Sequence, residues 1–243
     1  MSKKNSLIHW AVVLVIAGLL LSSCSLLKRT ASIGEPRTET QTVELGSASE
    51  VNVQIKMGAG KLSVAGGSTS LLDGVFRYNV ADWQPRISYA VNGSQGELVI
   101  DHGGDGVIIG PTIINDWNLQ LSGAVPIGLE IETGAGEGEL DMRGLDLTGL
   151  RIDVGAGNTT VDLSGDLDHN LNVIISGGVG EISVKLPGET GVRVSADAGI
   201  GGLTSSGLVK DGNVYVNDLF GNSAHTLFLD IQAGVGNINL LAP

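Results

Sequence analysis

The sequence predicts an all-β protein: a β-solenoid-like stack of strand–bend–strand rungs, each about 21–23 residues long, preceded by a signal-peptide helix. Three observations predict it. Glycine is in excess, 37 of 243 residues, roughly twice the usual ~7%. Many of these glycines fall in one recurring motif, Gly-x-Gly, at Gly58/Gly60, Gly134/Gly136, Gly155/Gly157, Gly178/Gly180, Gly199/Gly201 and Gly234/Gly236. The residues around each copy alternate apolar and polar, and no window after residue 24 sustains a helical period.

In chain order, the first element is an address. Residues 1–23 read as a signal peptide, with Lys3 and Lys4 as a positive n-region and Leu7 to Leu21 as an apolar core broken only by His9. The run is shorter than the ~20 residues a spanning helix needs. It ends in Leu21-Ser22-Ser23-Cys24, which resembles the lipobox of bacterial lipoproteins. That resemblance implies cleavage before Cys24 and diacylation of its thiol, which makes Cys24 the lipid-attachment residue; two or more acyl chains anchor stably where one does not. The opposing reading is an uncleaved anchor helix with Cys24 incidental. The expected location is a bacterial cell membrane, lipid-anchored on the extracytoplasmic side.

Residues 24–42 are polar and without period, and read as a flexible tether. Residues 43–125 form a less regular, cap-like β part. They carry one Gly-x-Gly unit in Val51–Val64 and strands expected over 72–78, 85–91, 97–101 and 113–120, with a loop over 103–110. Residues 126–243 form the repetitive part, continuous with the first. Successive bends at 134, 155, 178 and 199 are 21, 23 and 21 residues apart, and the 35 residues to the next imply an insertion around Leu208–Asn222. A Gly-x-Gly at the same place in each rung lets strands bend and lets neighbouring backbones approach closely. The chain ends in Leu240-Leu241-Ala242-Pro243, which predicts an apolar final rung without a cap.

Composition narrows the function. With 14 Lys+Arg against 26 Asp+Glu, the net charge is −12, so the phosphate neutralisation that nucleic-acid binding requires is excluded. A single cysteine excludes a disulfide framework. The Gly-x-Gly turns run strand to strand beside acids such as Glu137, not onto helix N-termini, so they read as structural and not as phosphate cradles. His102, His169 and His225 lack zinc-site spacing. Asp166, Asp168 and Asn170 are the best calcium candidates, although the calcium-binding nonapeptide does not repeat. Arg143, Arg151, Lys185, Arg193 and Lys210 read as outward and dispersed, while Trp83, Trp117 and Tyr89 are the aromatics available for a sugar-stacking platform. No catalytic residue, metal or cofactor is assigned.

A set of motifs then resembles a family. Met57-Gly58-Ala59-Gly60-Lys61-Leu62, Leu71 to Val80, Trp83-Gln84-Pro85, Asp116-Trp117-Asn118-Leu119, Val125-Pro126-Ile127, the Gly-Ala-Gly rungs and Val214 to Asp218 are similar, in order, to the bacterial toast-rack family. The resemblance implies an exported or membrane-associated protein related in fold to the C-terminal domain of cell-wall-active-antibiotic response proteins and to adhesin-like repeats, with no catalytic residues to carry over. The functional expectation is a non-catalytic structural, binding or envelope-stress protein. Its partners are the membrane, through the lipid, and a cell-envelope protein or polysaccharide; the oligomeric state stays open. A carbohydrate-active enzyme on a β-helix scaffold and a self-associating adhesin-like protein are the alternatives.

Overall fold

Alternation of apolar and polar residues fixes which side of each strand is buried, and a bend that shifts the alternation by one residue fixes how the buried sides meet. In the strand Glu50–Ser68, Val51, Val53, Ile55 and Met57 are buried before the bend, and Leu62 and Val64 after it. The parity changes across Gly58-Ala59-Gly60. A one-residue shift turns every following side chain to the opposite face of a strand. Combined with the bend, it aims both arms of the strand at one core.

The computed structural model describes residues 33–103 and 112–243. Strands β1 (Ile33–Val43), β2 (Glu50–Ser68), β3 (Leu72–Val80), β4 (Pro85–Asn92), β5 (Gln95–His102) and β6 (Asn115–Ser122) come first. Strands β7 (Ile127–Asp141), β8 (Leu147–Asp162) and β9 (Leu171–Lys185) follow, then β10 (Gly191–Asp197), β11 (Ile200–Ser206), β12 (Val209–Asp211), β13 (Val214–Val216) and β14 (Thr226–Leu241). A single 3-10 turn, Ala81–Trp83, interrupts them.

β2, β7, β8, β9 and β14 are bent in the middle and pair in parallel, in register, with Gly60 beside Gly136, Gly136 beside Gly157 and Gly180 beside Gly236. Their first arms continue one ladder, β4-β5-β2-β7-β8-β9-β14-β10-β13-β12. Their second arms continue another, β1-β3-β6-β2-β7-β8-β9-β14-β11. Inward rows such as Ile55-Ile131-Ile152-Ile175-Ile231 and Val64-Leu140-Val161-Val184-Leu240 run from strand to strand inside one hydrophobic cluster. The early strands cap this stack: β5 and β6 join β2 in parallel, while β3, β4 and β1 add antiparallel. Phe76 and Trp117 seal that end edge to face, with ring centres 5.3 Å apart.

Three expectations need correction. The tether expected over 24–42 is strand from Ile33 onward. Eight residues of β1 register against β3, so backbone pairing holds a segment whose side chains are mostly exposed. The rungs do not stack in chain order. β14 inserts between β9 and the pair β10/β11, because the expected insertion forms the β12–β13 hairpin and the following turns before the chain returns. The expected uncapped final rung is therefore interior: Leu186 N–H donates to the Leu241 carbonyl at 2.8 Å and Ala242 N–H donates to the Ser206 carbonyl at 2.9 Å. The signal peptide, Cys24 and residues 104–110 of the expected 103–110 loop lie outside the described residues.

Candidate functional site

The bend is the most constrained feature, and it shapes the surface around it. In β8, Gly157 has φ +131°, a region L side chains rarely adopt. A Cβ there would fall on the carbonyl oxygen of Gly136 and 2.8 Å from its carbonyl carbon. Gly60, Gly136, Gly180 and Gly236 occupy the same conformation. The first glycines of the motif, Gly134, Gly155, Gly178 and Gly234, each have the preceding strand's glycine carbonyl where a side chain would begin. Gly58 instead faces the His102 ring, and Gly201 faces the Gly236 carbonyl from the end of the stack. Gly199 alone has φ +54°, and there the strand breaks into β10 and β11. The structure thus brings the glycines singled out in the sequence into two rows, in the order 58, 134, 155, 178, 234, 199 along the stack.

Beside the first glycine row runs an open groove of about 720 Å³, lined among others by Lys56, Asp101, His102, Glu132, Asp153 and Ser176. Asp101, Lys56, Glu132, Asp153 and Ser176 are in register on consecutive strands, so each sits one strand spacing, about 4.8 Å, from the next. They tie to one another. Lys56 reaches Glu132 at 3.7 Å, and Arg151 forks onto Asp153 at 2.7 and 3.2 Å. Gln54 donates to Glu130 at 3.0 Å. On the second arm Lys61 meets Glu137 at 2.6 Å, and Arg143 and Lys185 both approach Asp162, at 3.8 and 3.2 Å. The basic residues expected to be dispersed are, for Arg143, Arg151 and Lys185, set into cross-strand charge rows. The Lys56 and Lys61 pairs are exposed and screened by solvent, whereas Asp162 is buried between its two partners.

The shifted carboxylates are all shifted down. Ser68 and Thr42 donate to Asp73 and lower its pKa; Arg143 does the same for Asp141. At Asp162 burial pushes upward, but hydrogen bonds from Ser164 and Lys185 outweigh it and the net shift is downward. Groups held as anions in this way are suited to binding and not to donating protons.

The aromatics do not form a sugar-stacking platform. Trp83 and Trp117 are buried, 2% and 1% exposed. Trp117 Nε1 donates to Asn115, whose side chain donates in turn to the Ala59 carbonyl at the bend. The Tyr89 hydroxyl, half-buried, donates to the Leu45 carbonyl at 2.7 Å. Of the calcium candidates Asp166, Asp168 and Asn170, Asn170 is engaged elsewhere: its Oδ1 accepts from Thr226 N–H at 2.9 Å. Among the described residues no trio of His, Cys, Asp or Glu has metal-holding geometry. One feature gave no sequence signal: His102 stacks on Trp83 at 6.1 Å and closes one end of the groove. Its Nδ1 is buried without a partner among the described residues.

Residues 32–204 match the family model described as the N-terminal domain of toast_rack, DUF2154. The crystal structure of a "putative cell adhesion protein" from Clostridium sporogenes ATCC 15579 is 33% identical, covers 86% of this chain and 100% of its own, and has a TM-score of 0.81. That of a "putative adhesin" from Bacteroides fragilis NCTC 9343 is 13% identical, covers 85% of this chain and 97% of its own, with a TM-score of 0.33, too low to carry an argument. No curated protein matches the sequence.

Proposed function

This chain belongs to the toast-rack family, and from that premise we propose that it is an exported, lipid-anchored β-solenoid that acts in the cell envelope as a non-catalytic binding or adhesion module. The observation that carries the reading is the outward face of the parallel stack: polar rows tied strand to strand, bordered by open grooves and not by a closed cleft. Such a face offers many equal, shallow contacts, which suits a broad envelope surface better than a small substrate. The likeness to a protein described as adhesive, over all of that protein's length, supports the same reading and an extracytoplasmic location. Anchoring rests on the Leu21-Ser22-Ser23-Cys24 run. A link to envelope stress rests on the fold resemblance alone.

The test uses intact cells carrying the native chain or Cys24→Ala. The reading predicts that the native chain is membrane-bound, open to added protease, and increases cell attachment to an immobilised envelope-polysaccharide layer several-fold. Cys24→Ala leaves the membrane fraction and loses that gain. Membrane retention at full yield without Cys24, or attachment unchanged by deleting the chain, contradicts it.

A further inference from the structure

The two ladders do not end together. Past β14 the first arm runs through β10, β13 and β12, whereas the second arm runs only through β11. The second arm is two strands shorter, a difference of about 10 Å. Among the described residues β11 pairs with β14 alone. Gly202 N–H donates to the Asn237 side chain and the Ser206 carbonyl accepts from Ala242, so Gly202, Thr204 and Ser206 point their backbone groups at β14. In a parallel strand alternate residues point opposite ways. Gly201, Leu203 and Ser205 therefore present their N–H and C=O groups to the open edge.

Natural sheets guard such edges with charge, proline, bulges or shortness. The other three ends obey. β1 carries Glu35, Pro36 and Arg37 with a register irregularity there. β4 opens with Pro85 and Arg86. β12 has three residues, two of them Lys210 and Asp211. β11 reads Ile-Gly-Gly-Leu-Thr-Ser-Ser, and residues 198–209 hold no charged side chain in a chain of net charge −12. A row of aliphatic side chains leads to this edge: Val179, Val235 and Ile200 lie side by side in register and are 56%, 44% and 75% exposed. The described chain enters at β1, the opposite end of the same ladder, eight strand spacings or roughly 40 Å away.

We propose that the open edge of β11 is a strand-addition site that takes an extended segment of a partner protein as the next strand of the sheet. Charge and packing state the chemistry of that segment. It is uncharged, because it meets an uncharged edge beside an acidic body. It carries an aliphatic residue beside Ile200 and a glycine opposite Gly201, because at Gly201 itself a Cβ would fall on the Gly236 carbonyl of the neighbouring strand. The site does not depend on the lipid anchor.

The probe is a fluorescent peptide copying residues 233–242, the segment that natively lines the other side of β11. It is titrated onto the full chain in detergent micelles, alongside a scrambled peptide. The native chain binds the copy and not the scramble. Ser205→Pro removes an outward N–H without touching the β14 ladder and weakens binding at least tenfold. Thr204→Lys adds an edge charge, gives the same loss, and serves where the proline variant does not fold. No binding to the folded native chain, or equal binding to folded variants, overturns the proposal. A native chain that sediments as a dimer, and a monomer after Thr204→Lys, also overturns it by making a second copy the occupant.

Discussion

The bend inside the stack and the bend at its end carry the same Gly-x-Gly motif but stand in different surroundings. At Gly157 the backbone is at φ +131° and lies between Gly136 on one side and Gly180 on the other. At Gly199 and Gly201 there is a neighbour on one side only, the positive φ moves from the second glycine of the motif to the first (Gly199, +54°), and the strand divides into β10 and β11. Continuous bent strands thus require neighbours on both sides. Where one neighbour is missing, the same motif gives a broken strand and an open edge.

The largest break in this comparison is Gly157→Ala. The new Cβ meets the Gly136 backbone and the conformation is strained, so we expect a loss of at least about 4 kcal/mol in unfolding free energy, read by denaturant melts. A turn glycine gives the control. Gly144 has φ +74° but nothing within 4 Å of an added Cβ, so Gly144→Ala is expected to cost only about 1 kcal/mol. At the open edge, Ile200→Ser changes a side chain 75% exposed, and stability should move by no more than about 0.5 kcal/mol in the same assay.

Much of this contrast was legible in the sequence, and some was not. The Gly-x-Gly register and its flanking alternation gave the bent strands. They also held the parity change, visible in Ile127-Leu129-Ile131 against Leu140 and Met142. β1 was not legible as a strand because Thr38, Thr40 and Thr42 alternate with polar residues and bury almost nothing; pairing to β3 holds it, and pairing leaves no hydrophobic period. The placement of β14 was hidden for another reason. Ile238 and Leu240 suit a place beside Ile182 and Val184 as well as they suit the end, so local pattern does not decide between them. Of the candidate site, the charge rows follow from register and became readable only once strands were aligned. The His102–Trp83 stack joins residues from separate elements and has no motif.

The smallest expected effect lies in the turns. His169 Nδ1 lies 3.0 Å from the Asn170 carbonyl and Nε2 lies 3.1 Å from Asp146, which links the turns before β9 and β8. Both partners accept, so only the imidazolium satisfies both, and these contacts raise the pKa above its ordinary value. The sign follows: this stabilisation is fully present below about pH 6.5 and fades as pH rises through the raised value. His169→Gln should flatten that part of the melting-temperature profile while leaving the bend and the edge unchanged.

Native-state hydrogen exchange tests the central contrast most directly. The account predicts uniformly slow exchange along the bent interior strands β8 and β9, where neighbours on both sides engage alternate amides. Along β11 it predicts alternation: Thr204 and Ser206 protected by β14, Leu203 and Ser205 exchanging fast. Uniform protection along β11, or fast exchange through the interior bends, would contradict it.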